Sequence, residues 1–292
     1  MSRTLAQRTN HNGFPKPGEM IGMTGTHALE SCERAMINVL YQHAHDSGRL
    51  GDAGAQWEIP LSLLREAYSR HENNGRLRDS LKRLMSVLVE VSYLDERDDA
   101  SDPEPRIAVM GIFRFLDISA KEFAKRATLR YGISPELAPI IENSRRWGRI
   151  KAEVVCAMTS KYAMSLYEMV QLRANMTRCI ESFSIAEFRD QLGVPPGAYE
   201  RGNNFVQFVI NPAVLEVNGL SDMGVKVDIR RKHARAPIEG VTMAWWRKSD
   251  DEFRAAMHER NNSKVGRMAR LKGHVNRVQA KPVLLSVLEP AE

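Results

Sequence analysis

Twice along this 292-residue chain helical periodicity gives way to alternating strands, and the second time a capped helix, a turn, a further helix and a basic hairpin follow in order. That succession predicts an α+β fold of two tandem winged-helix domains. The expected division is a flexible, extended arm at 1–25, domains at 26–147 and 148–247, and a basic tail at 248–292. A hydrophobic content of 43% suffices for a core in each domain.

Residues 1–25 are rich in Gly, Pro, Asn and Thr without periodicity, hence the arm. From Ala28, the residues Leu29, Cys32, Ala35, Met36, Val39, Leu40 and His43 recur at three- and four-residue intervals, which places them on one helical face. A short helix is expected over Leu61 to Tyr68. Another runs from Arg76 to about Val87, with Leu77, Leu81, Leu84 and Leu88 in register. Val89, Val91 and Tyr93 then alternate along a strand, Asp95 to Pro105 is a polar loop, and Ile107 to Leu116 is a β-rich run broken at Gly111.

In the second half a strand is expected at Ile150 to Val155, then a helix from about Lys161 to Asn175 with Tyr162, Leu166 and Met169 or Val170 turned inward. Ser184-Ile-Ala-Glu187 has the form of a capping box, and Phe183 and Phe188 stand where a hydrophobic staple closes over it. Gly193 ends that helix in a left-handed residue, and Pro195-Pro196 prevents its continuation. Asn203 or Asn204 is the expected cap of the next helix, with Phe205, Phe208 and Val209 facing the core. Pro212 predicts a kink or a restart capped by Asn211. Two strands follow, marked by Val225, Val227, Ile229 and by Val241, Met243, Trp245, with Arg230, Arg231, Lys232 and Arg235 forming a basic wing between them.

The formal net charge is +6. Residues 1–150 hold 21 basic and 20 acidic side chains and residues 151–292 hold 21 and 16, so the excess lies in the second half. Within Arg254 to Lys281 there are eight Lys or Arg against Glu259 alone, the pattern of a basic arm seeking a polyanion. Cys32, Cys156 and Cys179 are far apart and lack the spacing of a zinc site or disulfide framework, which fits a reducing cytoplasm. No apolar run approaches the roughly 18 to 20 residues that span a bilayer, and no apolar leader opens the chain, so no membrane partner is expected.

A helix, turn, helix and basic hairpin have a use on double-stranded DNA. The second helix enters the major groove while the wing approaches neighbouring phosphates. Asn203, Asn204 and Gln207, with Arg201 just ahead, are the candidate base-reading residues, because Asn and Gln pair with adenine edges and Arg grips guanine or phosphate. The plainer role of the two Asn is capping, and that of the wing cations is to discourage edge pairing. Arg76, Arg78, Lys82 and Arg83 form a second candidate phosphate face, with Asp79 among them. His43-Ala44-His45 falls near a helix end, where positions i and i+2 diverge by about 200° and cannot chelate one metal together. No P-loop is present, and neither a cofactor nor covalent catalysis is expected.

Ser160-Lys-Tyr-Ala-Met-Ser-Leu-Tyr-Glu168 resembles the iteron-binding plasmid replication initiator (Rep) family. Ile133-Ser-Pro-Glu-Leu-Ala-Pro139, Asn211-Pro-Ala-Val-Leu-Glu-Val-Asn218, Pro17-Gly-Glu19, the Asp222 to Ile229 strand and Trp245-Trp246 extend the resemblance over residues 16–247. It implies an N-terminal winged helix for dimerisation and auxiliary DNA contact, and a C-terminal one that reads iterons, the repeats of a plasmid origin. Ser160 and Lys161, which open the first motif, join the DNA-contacting candidates. Members typically initiate replication as monomers and repress their own promoter as homodimers on an operator inverted repeat. Their further partners are the host helicase or initiator proteins. Val206 and Gln207 depart from the basic residue that often follows the aromatic matching Phe205, and Ser165 replaces one that is often basic. Two other functions fit the pattern: a dedicated winged-helix repressor, and a rolling-circle nickase using a tyrosine such as Tyr199.

Overall fold

The computed structural model describes residues 4–67, 74–95, 104–119, 127–233 and 236–273. Residues 4–25 are not an extended arm. They carry a short 3-10 turn, strand β1 (Phe14–Pro17) and helix α1 (Gly18–Ile21), and Phe14, Lys16 and Met20 are buried. Four-residue elements show no period in sequence, and β1 is held by a distant partner, β7 (Trp147–Ile150).

Helix α2 (Ser31–Asp46) buries Ala35, Met36 and Leu40 of the expected stripe, leaves Cys32, Val39 and His43 half-buried, and buries Ala44 as well. It opens with a reciprocal capping box between Glu30 and Glu33. β2 (Trp57–Pro60) leads into α3 (Leu61–Ala67), and α4 (Asn74–Ser86) packs Leu77, Leu81 and Leu84 into the core. β3 (Leu88–Asp95) and β4 (Glu104–Gly111) form a hairpin. β5 (Phe113–Ile118) and β6 (Thr128–Ile133) join β2 in a sheet ordered β2-β6-β5. α5 (Leu137–Asn143) and β7 close this unit.

The strand expected at Ile150 to Val155 ends at Ile150, and α6 (Ala152–Ala157) follows it. α7 (Lys161–Arg173) is buried almost all round, including Tyr162, Ala163, Met164, Leu166, Tyr167, Met169 and Val170. It touches α1, α2 and β7 on one side and α8, α10 and β9 on the other, so it is a shared spine rather than a helix with one inner face.

β8 (Ile180–Ser184) and α8 (Ile185–Leu192) carry the Ser184/Glu187 capping box; the Phe183 and Phe188 rings lie 5.7 Å apart, and Gly193 has φ 69°. α9 (Gly202–Phe205), a π turn (Val206–Ile210) and α10 (Asn211–Leu220) form one helical run. Ile210 and Asn211 are both helical, so there is no restart at Pro212. The π turn widens the backbone just where proline's missing N–H and its ring would disturb an α-helix. β9 (Met223–Arg230) and β10 (Gly240–Arg247) pair Val225, Val227 and Ile229 with Trp245, Met243 and Val241, in the sheet order β8-β10-β9.

The basic tail is in part a folded cap. α11 (Asp250–Asn261) and α12 (Arg267–Leu271) pack on α10, and Arg267 is buried, donating to the carbonyls of Ala157, Glu259, Arg260 and Asn262. Glu259, the one acid of the Arg254 to Lys281 stretch, also binds Arg270, so two of that stretch's cations are engaged inside the fold. Residues 274–292 lie outside the described residues.

Candidate nucleic-acid interface

The second unit's helix-turn-helix is α8, the turn at 193–201, and α9. Tyr199 sits at φ 53°, a conformation that costs energy without glycine's freedom. Arg189 holds it there, donating to the carbonyls of Tyr199 and Ala198 while its guanidinium lies 4.8 Å from the Phe205 ring centre. Arg189 did not stand out in sequence and Tyr199 did so only as a candidate nicking tyrosine, since their pairing depends on the turn being closed.

Arg201 occupies the N-cap position of α9, so neither Asn203 nor Asn204 caps it. Asn203 instead accepts a hydrogen bond from Arg231 Nη2 at 3.2 Å, which ties the helix start to the wing. Arg231 Nη1 also donates to the Ala236 carbonyl at 3.1 Å. Arg201, Asn203 and Gln207 are exposed on one side and Asn204 is half-buried. Phe205 and Val209 enter the core as expected. Phe208 does not: it is 52% exposed and rests on the Tyr199 ring. The π turn shifts the helical phase at this point, which a fixed 100° step cannot anticipate.

Arg230 Nη2 donates to the Phe183 carbonyl at 3.0 Å, Lys232 lies 3.5 Å from Glu239, and Arg235 lies outside the described residues. The cations brought to the start of α9 are therefore Arg201 and Arg231, with Arg230 and Lys232 on the adjoining hairpin.

Ser160 caps α7 through its side chain, and its N–H, with those of Thr159, is taken by the buried carboxylate of Glu216 on α10. Lys161 Nζ donates to the His27 carbonyl at 2.9 Å and lies 3.6 Å from Glu30. Both residues thus have partners inside the fold. In the first unit Arg76, Arg78 and Lys82 line the exposed side of α4. Arg83 is engaged with the fully buried carboxylate of Glu33 and with Ser80 Oγ at 3.0 Å. Burial alone raises the Glu33 carboxyl, but hydrogen bonds from Ser80 and Arg83 outweigh it and hold the pKa below the usual range.

His43 Nδ1 meets the Tyr131 hydroxyl at 2.8 Å, and that hydroxyl donates to the Leu40 carbonyl. His43 is a core-edge residue whose burial lowers its pKa. Among the described residues no three His, Cys, Asp or Glu side chains converge on a metal position, and no helix is long and apolar enough to cross a membrane.

Residues 19–171 match the family model described as "Initiator Replication protein, WH1", and residues 184–245 match "Initiator Rep protein, WH2". No protein of curated function matches the chain. Among solved structures, the Pi initiator protein in complex with iteron DNA is similar at 15% identity, with 81% of this chain and 97% of that chain covered and a TM-score of 0.56. Domains 2 and 3 of RctB match at 9% identity, covering 75% of this chain and 83% of that one, with a TM-score of 0.45.

Proposed function

Because the chain belongs to the initiator Rep protein family, we propose that it initiates plasmid replication by binding the iterons of its origin, without covalent chemistry. The observation that carries this reading is the exposed set Arg201, Asn203 and Gln207, bracketed by the Arg231 wing within the segment that matches the second winged helix. Its shape suits a major groove flanked by phosphates. In this reading residues 148–247 read the repeats, and residues 26–147 supply auxiliary phosphate contact through Arg76, Arg78 and Lys82 on α4. The shared spine α7 belongs to both tasks.

Dimerisation and autorepression belong to the same proposal. Support comes from the outer face of the β3–β4 hairpin, where Leu88, Leu94, Ile107 and Val109 are each more than half exposed. A second copy is the occupant that a self-repressor on an inverted repeat requires. Recruitment of the host helicase or initiator proteins completes the reading, in the cytoplasm.

A plasmid carrying only this gene and its neighbouring repeats tests it. Autonomous replication supports an initiator. Promoter repression without replication identifies a dedicated repressor. Nicked circles, or a covalent adduct on supercoiled origin DNA with divalent metal, identify a nickase.

A further inference from the structure

Two adjacent residues of α2 reach α4 on one hand and, on the other, the C-terminal cap of α8 that precedes the turn into α9. Glu33 is fully buried and receives Arg83 of α4, the first unit's cationic helix. Arg34, one step of about 100° further round the helix, points the other way. Its Nη1 donates to Ser165 on α7, and its Nη2 donates to the Thr26 hydroxyl at 2.8 Å and the Thr26 carbonyl at 3.2 Å. The guanidinium lies directly against Gly193, where a Cβ would stand 2.1 Å from Nη2 and 3.0 Å from the Thr26 hydroxyl oxygen.

Gly193 is the C-cap of α8 and the first residue of the second unit's turn. It therefore has two reasons to be glycine: a φ of 69°, and an arginine from the other unit in the space a side chain would fill. A cation is also well placed at a helix C-terminus, where carbonyl oxygens gather negative partial charge. Arg34 Nε is buried without a hydrogen-bond partner. That unmade bond is a cost which the guanidinium's other hydrogen bonds and its packing have to offset.

The contacts form one relay, from α4 through Arg83 and Glu33 to α2, and from Arg34 through Gly193 to the turn that aims α9. We infer that the Glu33–Arg34 pair is a positioning device that holds α4 and α9 at a fixed separation and angle, so that the chain selects DNA by spacing as well as by base. Neither residue touches DNA. The inference rests on the functional reading above, in that α4 and α9 both meet the same duplex. Inserting one base pair between their two contact segments moves them apart by about 3.4 Å and turns them by about 35°, a mismatch that rigidly coupled units cannot follow.

Two arms test it on the full chain. In the first, affinity is measured for a repeat and for the same repeat with one base pair inserted or deleted between the segments footprinted by α4 and α9. Wild type should lose about tenfold or more for either change, comparable to one or two mismatched base pairs. Arg34→Met and Gly193→Ala should bind the natural repeat more weakly, shrink that spacing penalty to about threefold or less, and leave the ranking of single-base substitutions unaltered. A purely structural defect would lower all affinities and keep the penalty.

The second arm needs no DNA. Bioorthogonal spin labels at positions 82 and 226 should give one narrow distance in wild type and a broadened one in Arg34→Met. Thr26→Val, which keeps its shape but loses the hydroxyl acceptor, should broaden it less and serves if Arg34→Met does not fold. A wild-type chain that tolerates the inserted base pair, or variants that keep both the narrow distance and the full spacing penalty, would overturn the coupling. A chain that binds no repeat at all refutes the functional reading instead, and the distance measurement still decides the relay.

Discussion

Gln207→Ala separates base reading from folding most cleanly. The side chain is exposed and takes part in no hydrogen bond within the described fold, and the cap position of its helix belongs to Arg201. Truncation should therefore change stability by no more than about 0.5 kcal/mol, the range for surface sites away from caps and networks. If the amide makes a bidentate contact with a base, its loss costs roughly 1 to 3 kcal/mol, which is about 5- to 160-fold in affinity at one repeat position. The assay is a panel of single-base substitutions titrated against wild type and variant, with thermal melting as the folding control. Wild-type ranking and affinity across the whole panel, with an unchanged melting curve, would refute the assignment of this face to base reading.

The remaining expectations concern the wing, the core, the dimer face and pH. Lys232→Ala should weaken binding to all sequences alike and lower the slope of log affinity against log salt by about 1, and Arg231→Ala, which also releases Asn203, should lower the slope likewise; an unchanged slope places the wing away from phosphate. Phe205→Ala should cost about 3 to 5 kcal/mol in chemical denaturation because the ring is buried. Phe208→Ala, half exposed on Tyr199, should cost far less. Ile107→Glu should convert dimers to monomers in sedimentation while sparing repeat binding, and a strict wild-type monomer at high concentration would contradict the assigned face. Lys248, which donates to the Asn218 and Ser221 carbonyls at the end of α10, is pushed down to about 8 by burial, against the pull of Glu252 and Asp222. Its folded value lies below its unfolded one, so the unfolded chain binds more protons between them. Wild type should gain stability relative to Lys248→Met as pH rises from about 8 towards the ordinary lysine value; a flat difference in melting temperature over that window would contradict it.

What could be read from sequence was local. The Ser184/Glu187 box, the left-handed Gly193 and the alternation of β9 and β10 each rest on residues within a few positions of one another, and each stands as expected. Elements held by distant partners were not legible. β1 pairs with β7, β2 with β6 across the first unit, and β8 with β10, and β1, β2, β6, β7 and β8 are runs of four to six residues that leave no period. α2's capping box escaped notice because glutamate stands at its N-cap where Ser or Thr is the usual signal. The buried Lys16–Glu168 pair at 2.8 Å, with Asn38 on the same carboxylate, joins β1, α7 and α2, and charged residues give no periodic hint of burial. At the interface the wing and the start of α9 were legible as composition. Their junction through Asn203 and Arg231, and the exposure of Phe208, follow from tertiary contact and the π turn.

Sequence-specific binding of origin repeats by the second winged helix is open to footprinting of the purified full chain on the DNA flanking its gene. Protection should be regularly spaced over repeated sequences and retained against excess unrelated DNA, with Gln207→Ala altering it at one position in every repeat. Uniform protection without regard to sequence, or protection of the repeats that Gln207→Ala, Asn203→Ala and Arg201→Ala together leave unchanged, would contradict it.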